Sequence, residues 1–307
     1  MPVGGRGASA AASGAAHSTA PFYRPGTRGG ALGVVPGVVP GVLPSRHTGA
    51  VEGYDASTYG DRFADVYDDW YGDVTDVEAC TERLAGLAHG GPILELGVGS
   101  GRLALPLAAR GLEVHGIDAS PQMLARLQGK PGAETIRLTT GDMGELALAD
   151  PPEFALVFVA FNTLFNLTTP AEQQRCLARV AELLAPDGVF VVEAFVPADD
   201  DQGPRSSVTP RRISADEVVL SVSRHDDSDQ TITGQHLHIT EAGIRLRPWH
   251  LRYARPRELD AMADAAGLSL AWRHADWEET PFGPDAGVHV SGYHRGNVRT
   301  VLPPGSV

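Results

Sequence analysis

The run Ile93-Leu-Glu-Leu-Gly-Val-Gly-Ser-Gly-Arg102 constrains this chain more than any other, because strand-forming residues give way there to glycines at 97, 99 and 101. An apolar run that breaks into glycine and then becomes helical is a strand turning sharply into a helix, with unpaired helix amides left at the turn. A plain turn of this kind needs one glycine. Three glycines after an acid mark a backbone that something approaches closely. The same rhythm continues downstream. Leu112 to Ile117, Thr135 to Thr139, Phe154 to Val159 and Gly188 to Phe195 read as buried strands. Helices are expected over Arg102 to Arg110, after Ser120 as N-cap and Pro121 as first residue, and over Ala171 to Leu184. Apolar strands alternating with helices predict a doubly wound α/β fold with a parallel sheet covered on both faces.

The flanks follow other patterns. Residues 1–50 are dominated by Gly, Ala, Ser and Pro, and the repeated prolines of Ala31 to Pro44 break both helix and ladder, so this stretch reads as a disordered tail. From Tyr54 the aromatic and apolar spacing, Tyr59, Phe63, Val66, Tyr67, Trp70 and Tyr71, is that of an amphipathic helix, and a second helix is expected over Thr75 to Ala88. After Pro197 a loop is expected from Ala198 to Pro204. Glu217 to Val222, Thr231 to Thr240 and Ile244 to Tyr253 then read as antiparallel strands, more polar and nearly alternating. Pro256 to Ala266 is a helix ended by Gly267, and strands follow at Ser269 to Arg273 and Val288 to His294. The expected organisation is a tail (1–50), a helical lid and α/β core (51–197), a late antiparallel β insertion (198–255), and a C-terminal helix with the last two strands of the core (256–307).

Composition removes several classes of partner. With 25 basic and 38 acidic side chains the net charge is −13, a field that repels phosphate backbones, so no nucleic-acid partner is expected. The hydrophobic fraction of 42% suffices for a sizeable core. Cys80 and Cys176 are the only cysteines, without zinc spacing, which fits a reducing cytoplasm. No apolar run approaches the roughly 18 residues of a membrane span, so no membrane partner is expected. Lys130 is the only lysine, a bias of GC-rich bacterial genomes.

Two further strand ends sharpen the reading of the glycine turn. Gly116-Ile117-Asp118 ends the next strand in an acid placed to accept hydrogen bonds from ribose hydroxyls. Gly141-Asp142-Met143 follows the third strand with an acid and an apolar side chain suited to an adenine edge and face. Dinucleotide binding prefers G-x-G-x-x-G, and Arg102 stands where a third glycine counted from Gly97 belongs. Through Glu95-x-Gly97-x-Gly99-x-Gly101, Asp118 and Asp142-Met143, the chain resembles the class I S-adenosylmethionine-dependent methyltransferases, over roughly Tyr54 to Arg295.

That resemblance implies a Rossmann-like seven-stranded sheet and S-adenosylmethionine as cofactor. It implies Glu95, Gly97, Gly99 and Gly101 beside the methionine part, Asp118 on the ribose, Asp142 and Met143 at the adenine, and Ala119 and Met123 along the adenosine. It also implies an aromatic lid, Tyr67-Asp-Asp-Trp-Tyr71, with Tyr67 and Tyr71 over the cofactor; helix packing is the alternative for Trp70 and Tyr71. The fourth strand and its loop are similar to those of the small-molecule branch, which tailors secondary metabolites. This places the loop from Ala160 to Phe165 at the transferring methyl, with Asn162 and Thr163 to orient the substrate's nucleophile and Phe161 and Phe165 to exclude water; core packing is the alternative for at least one of the two phenylalanines. Arg205, with Arg211 and Arg212, borders a loop where an anionic group is one reading and charge balance another; Trp249 and Arg252 are further substrate candidates.

A hydroxyl acceptor needs a base, for which His250 and His289, with His294, are the candidates, a satisfied surface or core histidine being the alternative for each, whereas an amine with a free lone pair needs none. His236-x-His238 places two imidazoles on one strand face, but no third ligand stands at readable spacing, so the pair reads as solvent-facing and no metal is expected. The expected function is methyl transfer to nitrogen or oxygen of a small molecule by a cytoplasmic monomer or homodimer. A macromolecule methyltransferase and a non-catalytic cofactor-binding regulator are the alternatives.

Overall fold

The computed structural model describes residues 52–72, 74–197 and 204–296. The expected tail over 1–50 and most of the expected loop over 198–204 lie outside the described residues. The aromatic-rich start of the core, expected as one helix, forms two short ones, α1 (Thr58–Phe63) and α2 (Tyr67–Tyr71). There follow α3 (Val77–Ala88), β1 (Ile93–Leu96), α4 (Ala104–Ala109), β2 (Val114–Asp118), α5 (Pro121–Gln128), β3 (Arg137–Thr140), β4 (Phe154–Val159), α6 (Pro170–Leu183) and β5 (Leu184–Phe195). The insertion is β6 (Arg205–Ile213), β7 (Glu217–Asp226), β8 (Thr231–Thr240) and β9 (Gly243–Arg252). The chain then returns through α7 (Pro256–Ala265), β10 (Leu268–His274) and β11 (Val288–Arg295).

The helix starts obey local chemistry. Asp76 accepts the Ala79 amide ahead of α3, Ser120 accepts the Met123 amide with Pro121 behind it, and Thr169 forms a reciprocal capping box with Glu172 ahead of α6. The inner strands β1, β2, β4 and β5 are largely apolar because both their faces are covered. Leu94 and Leu96 of β1 belong to a core shared with α6 and α7, whereas Ile93 belongs to a second core with α3 and α4.

The main sheet has seven strands in the order β10-β11-β5-β4-β1-β2-β3. Pairing is parallel from β5 through β3, and β11 runs antiparallel to both its neighbours. The insertion is a four-stranded antiparallel meander, β6-β7-β8-β9. Arg205, Arg211 and Arg212, expected to border a loop, lie on its edge strand β6, with a bulge between Pro210 and Arg212.

One face of the meander closes on the lid. The Arg247 guanidinium, 1% exposed, donates to Asp65 and to the Arg62 carbonyl and lies 5.3 Å over the Trp70 ring. Trp249 packs on Gly234, where a Cβ would stand 2.3 Å from the indole, so only glycine fits beneath it. The far end of β9 is bolted to α6 and α7 by Arg252, which donates to Gln173, Gln230 and Glu258. No helix among the described residues is long and apolar enough to cross a membrane.

Candidate functional site

β1 lies between β2 and β4, so chain order reverses at its C-terminal end, and open α/β sheets hold ligands in such a crevice. A cavity of about 240 Å³ opens there. Its floor includes Gly97, Gly99, Asp118, Ala119 and Met123, its far wall Asp142 and Met143, and its roof Tyr54, Tyr59 and Tyr67. Asp55, Asp118, Asp142 and Glu172 all line it, and no lysine, arginine or histidine does among the described residues.

The turn after β1 is shaped by close approach. Gly97 has φ 68°, and a Cβ there would stand 2.3 Å from Cγ2 of Thr163 on the loop after β4. The Gly99 amide donates to Oδ2 of Asp118 at 2.8 Å, and Oδ1 accepts the Ser120 amide at 2.8 Å, which fixes the carboxylate at the tip of β2. Burial pushes the Asp118 carboxyl up against the pull of these two amides. Gly101 has another task than the cavity: a Cβ there would meet Leu127 at 2.8 Å, so it allows α5 to pack on the turn.

Beneath the cavity lies a buried charged cluster. Burial pushes Glu95 up to about 8 against the pull of Arg102, and its Oε2 has no hydrogen-bond partner among the described residues. Arg102 lies 5.6 Å over the Phe161 ring. Glu193, raised by burial, accepts the Phe161 amide at 2.8 Å. Phe161 and Asn162 are consecutive non-glycine residues with φ 52° and 65°, a strain held by Glu193 and by Asn162 Oδ1, which accepts the Phe195 amide at 2.7 Å. The Asn162 side chain is therefore the brace of this loop, and its neighbour Thr163 is the residue that reaches the cavity wall.

Several other candidates stand elsewhere. Ala160 is buried at the end of β4, and Phe165 is core, 5.2 Å from the Phe195 ring. Tyr71 is buried behind Tyr67, ring to ring at 5.0 Å, with its hydroxyl 3.5 Å from Nε2 of His236. His289 is fully buried on β11 against Ser291 and is not among the residues that line this cavity; burial lowers it to about 3. His250 sits one layer behind the roof: its amide donates to the Tyr54 hydroxyl at 3.3 Å, its Nδ1 lies 2.8 Å from Thr233 Oγ1, and burial lowers its pKa. Arg205 pairs with Asp227 at 2.6 Å, and Arg252 is spent on the α6 and α7 network. Trp249 faces the lid side of the meander.

His236 and His238 are not solvent-facing. His236 is buried against Phe63 and Trp70, and burial lowers it to about 3, whereas His238 pairs with Glu217 at 2.6 Å. No cluster of metal-ligating side chains occurs among the described residues. A second cavity, about 130 Å³, lies on this side between Trp70, Tyr71, Arg211, Arg212, Val219 and His236.

Contacts that tie the lid to the glycine turn were not read from sequence. Asp61 accepts from Ser120 Oγ at 2.6 Å, and Asp68 accepts from Ser100 Oγ at 2.5 Å and from Lys130 Nζ at 3.0 Å. Lys130 also donates to the Ser100 carbonyl at 2.8 Å, so the only lysine joins α2 to the turn. The acidic pair beside the lid aromatics was the available signal.

Residues 93–188 match the methyltransferase domain family. The CcbJ methyltransferase from Streptomyces caelestis is 41% identical, with a TM-score of 0.74, over 80% of this chain and 100% of that one. A phosphatidylethanolamine N-methyltransferase from Cereibacter sphaeroides is 31% identical over 150 residues, 47% of this chain and 68% of that protein. An uncharacterized methyltransferase from Geobacillus kaustophilus is 35% identical over 148 residues, which cover 47% of this chain and 64% of that relative's length. The chain belongs to the class I S-adenosylmethionine-dependent methyltransferases.

S-adenosylmethionine is the cofactor of that class, and the residues present fit it. A cationic ligand suits a cavity lined by four carboxylates and no basic side chain among the described residues. The Glu95 Oε2 left without a partner, just beneath the turn, is an acceptor in reserve for such a charge.

Proposed function

We propose that this chain transfers a methyl group from S-adenosylmethionine to a nitrogen or oxygen of a small metabolite. The observation that carries the reading is the acid-lined cavity at the sheet's switch point, roofed by three tyrosines of the lid and backed by the β insertion. In this reading Asp118 accepts from the ribose, Asp142 and Met143 hold the adenine, and Gly97, Gly99 and Glu95 take the methionine part. The acceptor lies toward the second cavity, where Arg211 and His236 stand behind Tyr71.

When bound, S-adenosylmethionine supplies a methyl on a positively charged sulfur, a leaving group that needs no proton. The residues of the chain then have to position and to exclude water. The tyrosine faces suit a cation and cover the cavity. They are poor bases at neutral pH, because burial raises the Tyr54 phenol to about 12 and lifts Tyr59 and Tyr67 further. With no imidazole on the cavity wall among the described residues, an amine that arrives with its lone pair free suits this site better than an unactivated hydroxyl. One relative whose name states a substrate, the phosphatidylethanolamine methyltransferase, is an N-methyltransferase. Two buried free cysteines accord with a cytoplasmic setting.

The test is incubation with S-adenosylmethionine labelled in the methyl group and a bacterial extract, followed by fractionation. Label in a dialysable compound other than S-adenosylmethionine and its breakdown products, absent when the protein is omitted, supports the proposal. Label in RNA or protein makes the chain a macromolecule methyltransferase, and cofactor binding without label in any fraction makes it a binding protein.

A further inference from the structure

The bulge in β6 brings two consecutive arginines to one side of the meander. Pro210 pairs with Leu220 and Arg212 with Val219, so Arg211 is the extra residue. Successive strand residues alternate between faces, and a bulge breaks that alternation and re-aims a side chain, a device common beside active sites. Arg211 and Arg212 accordingly both line the second cavity, together with Trp70, Tyr71, Val219 and His236. Asp69 is the one acid on that lining among the described residues, so the wall carries a surplus of positive charge in a chain of net charge −13. The cofactor cavity has the opposite character, with four carboxylates and no basic side chain among the described residues.

The two arginines differ in setting. Arg212 is 51% exposed and pairs with Glu217 at 2.6 Å. Arg211 is half-buried, and its charge is felt at the inner end of the cavity: burial raises the Tyr71 phenol against the pull of Arg211, and burial lowers His236 with Arg211 adding to it. His236 is 1% exposed, its Nε2 lies 3.5 Å from the Tyr71 hydroxyl, and its Nδ1 has no hydrogen-bond partner among the described residues. With Nε2 accepting from Tyr71, the neutral ring carries its hydrogen on Nδ1, a buried donor in need of an acceptor.

We propose that the second cavity is a carboxylate subsite, which holds a carboxylate of the methyl acceptor through the Arg211 guanidinium and the Nδ1–H of His236. The inference rests on the reading above, that a small metabolite is methylated, and it narrows the acceptor to an amine that also bears a carboxylate. A guanidinium fork matches a planar carboxylate. Two arginines against Asp69 leave a surplus of one positive charge, which a monoanion balances and a phosphate dianion exceeds. The Trp70 and Tyr71 rings offer flat walls to the carbon skeleton beside the charge. Tyr71 also stands 5.0 Å, ring to ring, from Tyr67 on the cofactor's roof, so an acceptor anchored here lies one ring away from the cofactor cavity.

NMR titration of the full chain, with and without S-adenosylhomocysteine, tests this with benzoate as the probe, benzamide as its uncharged counterpart, and inorganic phosphate at equal ionic strength. Benzoate is expected to bind in the millimolar range, and benzamide and phosphate more weakly by about tenfold. Arg211→Gln and, separately, His236→Phe, which keeps a ring in the packing, should each weaken benzoate by about tenfold. Arg137→Gln, at a 70% exposed side chain on the far edge strand β3, should leave it unchanged. Binding of S-adenosylhomocysteine reports on the methyltransferase reading by itself, so a chain that binds it and not benzoate overturns the carboxylate subsite alone. Benzoate binding that persists in both variants, or phosphate that binds more tightly than benzoate, overturns it as well.

Discussion

Glu95 is a carboxyl beneath the site whose protonation departs far from habit. The folded protein holds its proton to about pH 8 where an exposed glutamate loses it near 4.5, so the unfolded state binds fewer protons across that window. Stability therefore falls as pH rises from about 4.5 to 8. Glu95→Gln removes the charge and should flatten the pH dependence of the melting temperature over this window, with the variant gaining most at its alkaline end. Superimposable profiles for the two proteins would contradict the burial argument. The same carboxyl should release a proton when a cation binds beside it, because the charge favours the ionised form. At this scale the sequence was readable where a residue reaches the cavity from a strand end. Asp118, Asp142 and Met143 all reach the cavity. It was opaque for Asn162, because the amide that takes its side chain belongs to Phe195, which folding alone brings near.

The lid helices are held by polar clamps, and each clamp makes a prediction. Asp68 joins Ser100 on the glycine turn to Lys130, and it does not line the cofactor cavity. Asp68→Ala should weaken cofactor binding by about 1 to 2 kcal/mol through a looser lid, while leaving the core intact. Equilibrium dialysis reads the affinity, and near-equal affinities would remove the clamp from the account. Arg247 is buried between the lid and the meander, and Arg247→Ala should cost about 2 to 4 kcal/mol in urea unfolding, since packing and charge-assisted hydrogen bonds are lost together. A loss within ±0.5 kcal/mol, the range of an ordinary surface change, would contradict that role. Ser120-Pro121 and Thr169-Pro170 announced their helices because caps are local chemistry. β6 did not announce itself, because Pro210 demotes a strand in sequence. The structure accommodates it on the edge of the sheet, next to a bulge. The Arg252 network was equally unreadable: Gln173 is 79 residues away in the chain.

At the scale of the whole molecule, two sheets of different origin in the chain meet across a short helical lid. The glycine turn and alternating strands made the larger sheet legible, because each strand carries its own apolar signal. The side that should face an acceptor was legible only in part. Its walls come from α2, β6, β7 and β8, and the residues that looked reactive, His289 and Arg252, are held inside the fold. What the account stands on is that the cavity at the switch point holds S-adenosylmethionine with Asp118 on the ribose. Calorimetric titration of the full chain and of Asp118→Ala tests this directly, with NAD as control. The expected result is micromolar binding of S-adenosylmethionine and S-adenosylhomocysteine, none of NAD, and a loss of about 1 to 3 kcal/mol in Asp118→Ala. No binding of either adenosyl compound to the folded protein, or an unchanged Kd in the variant, would contradict it.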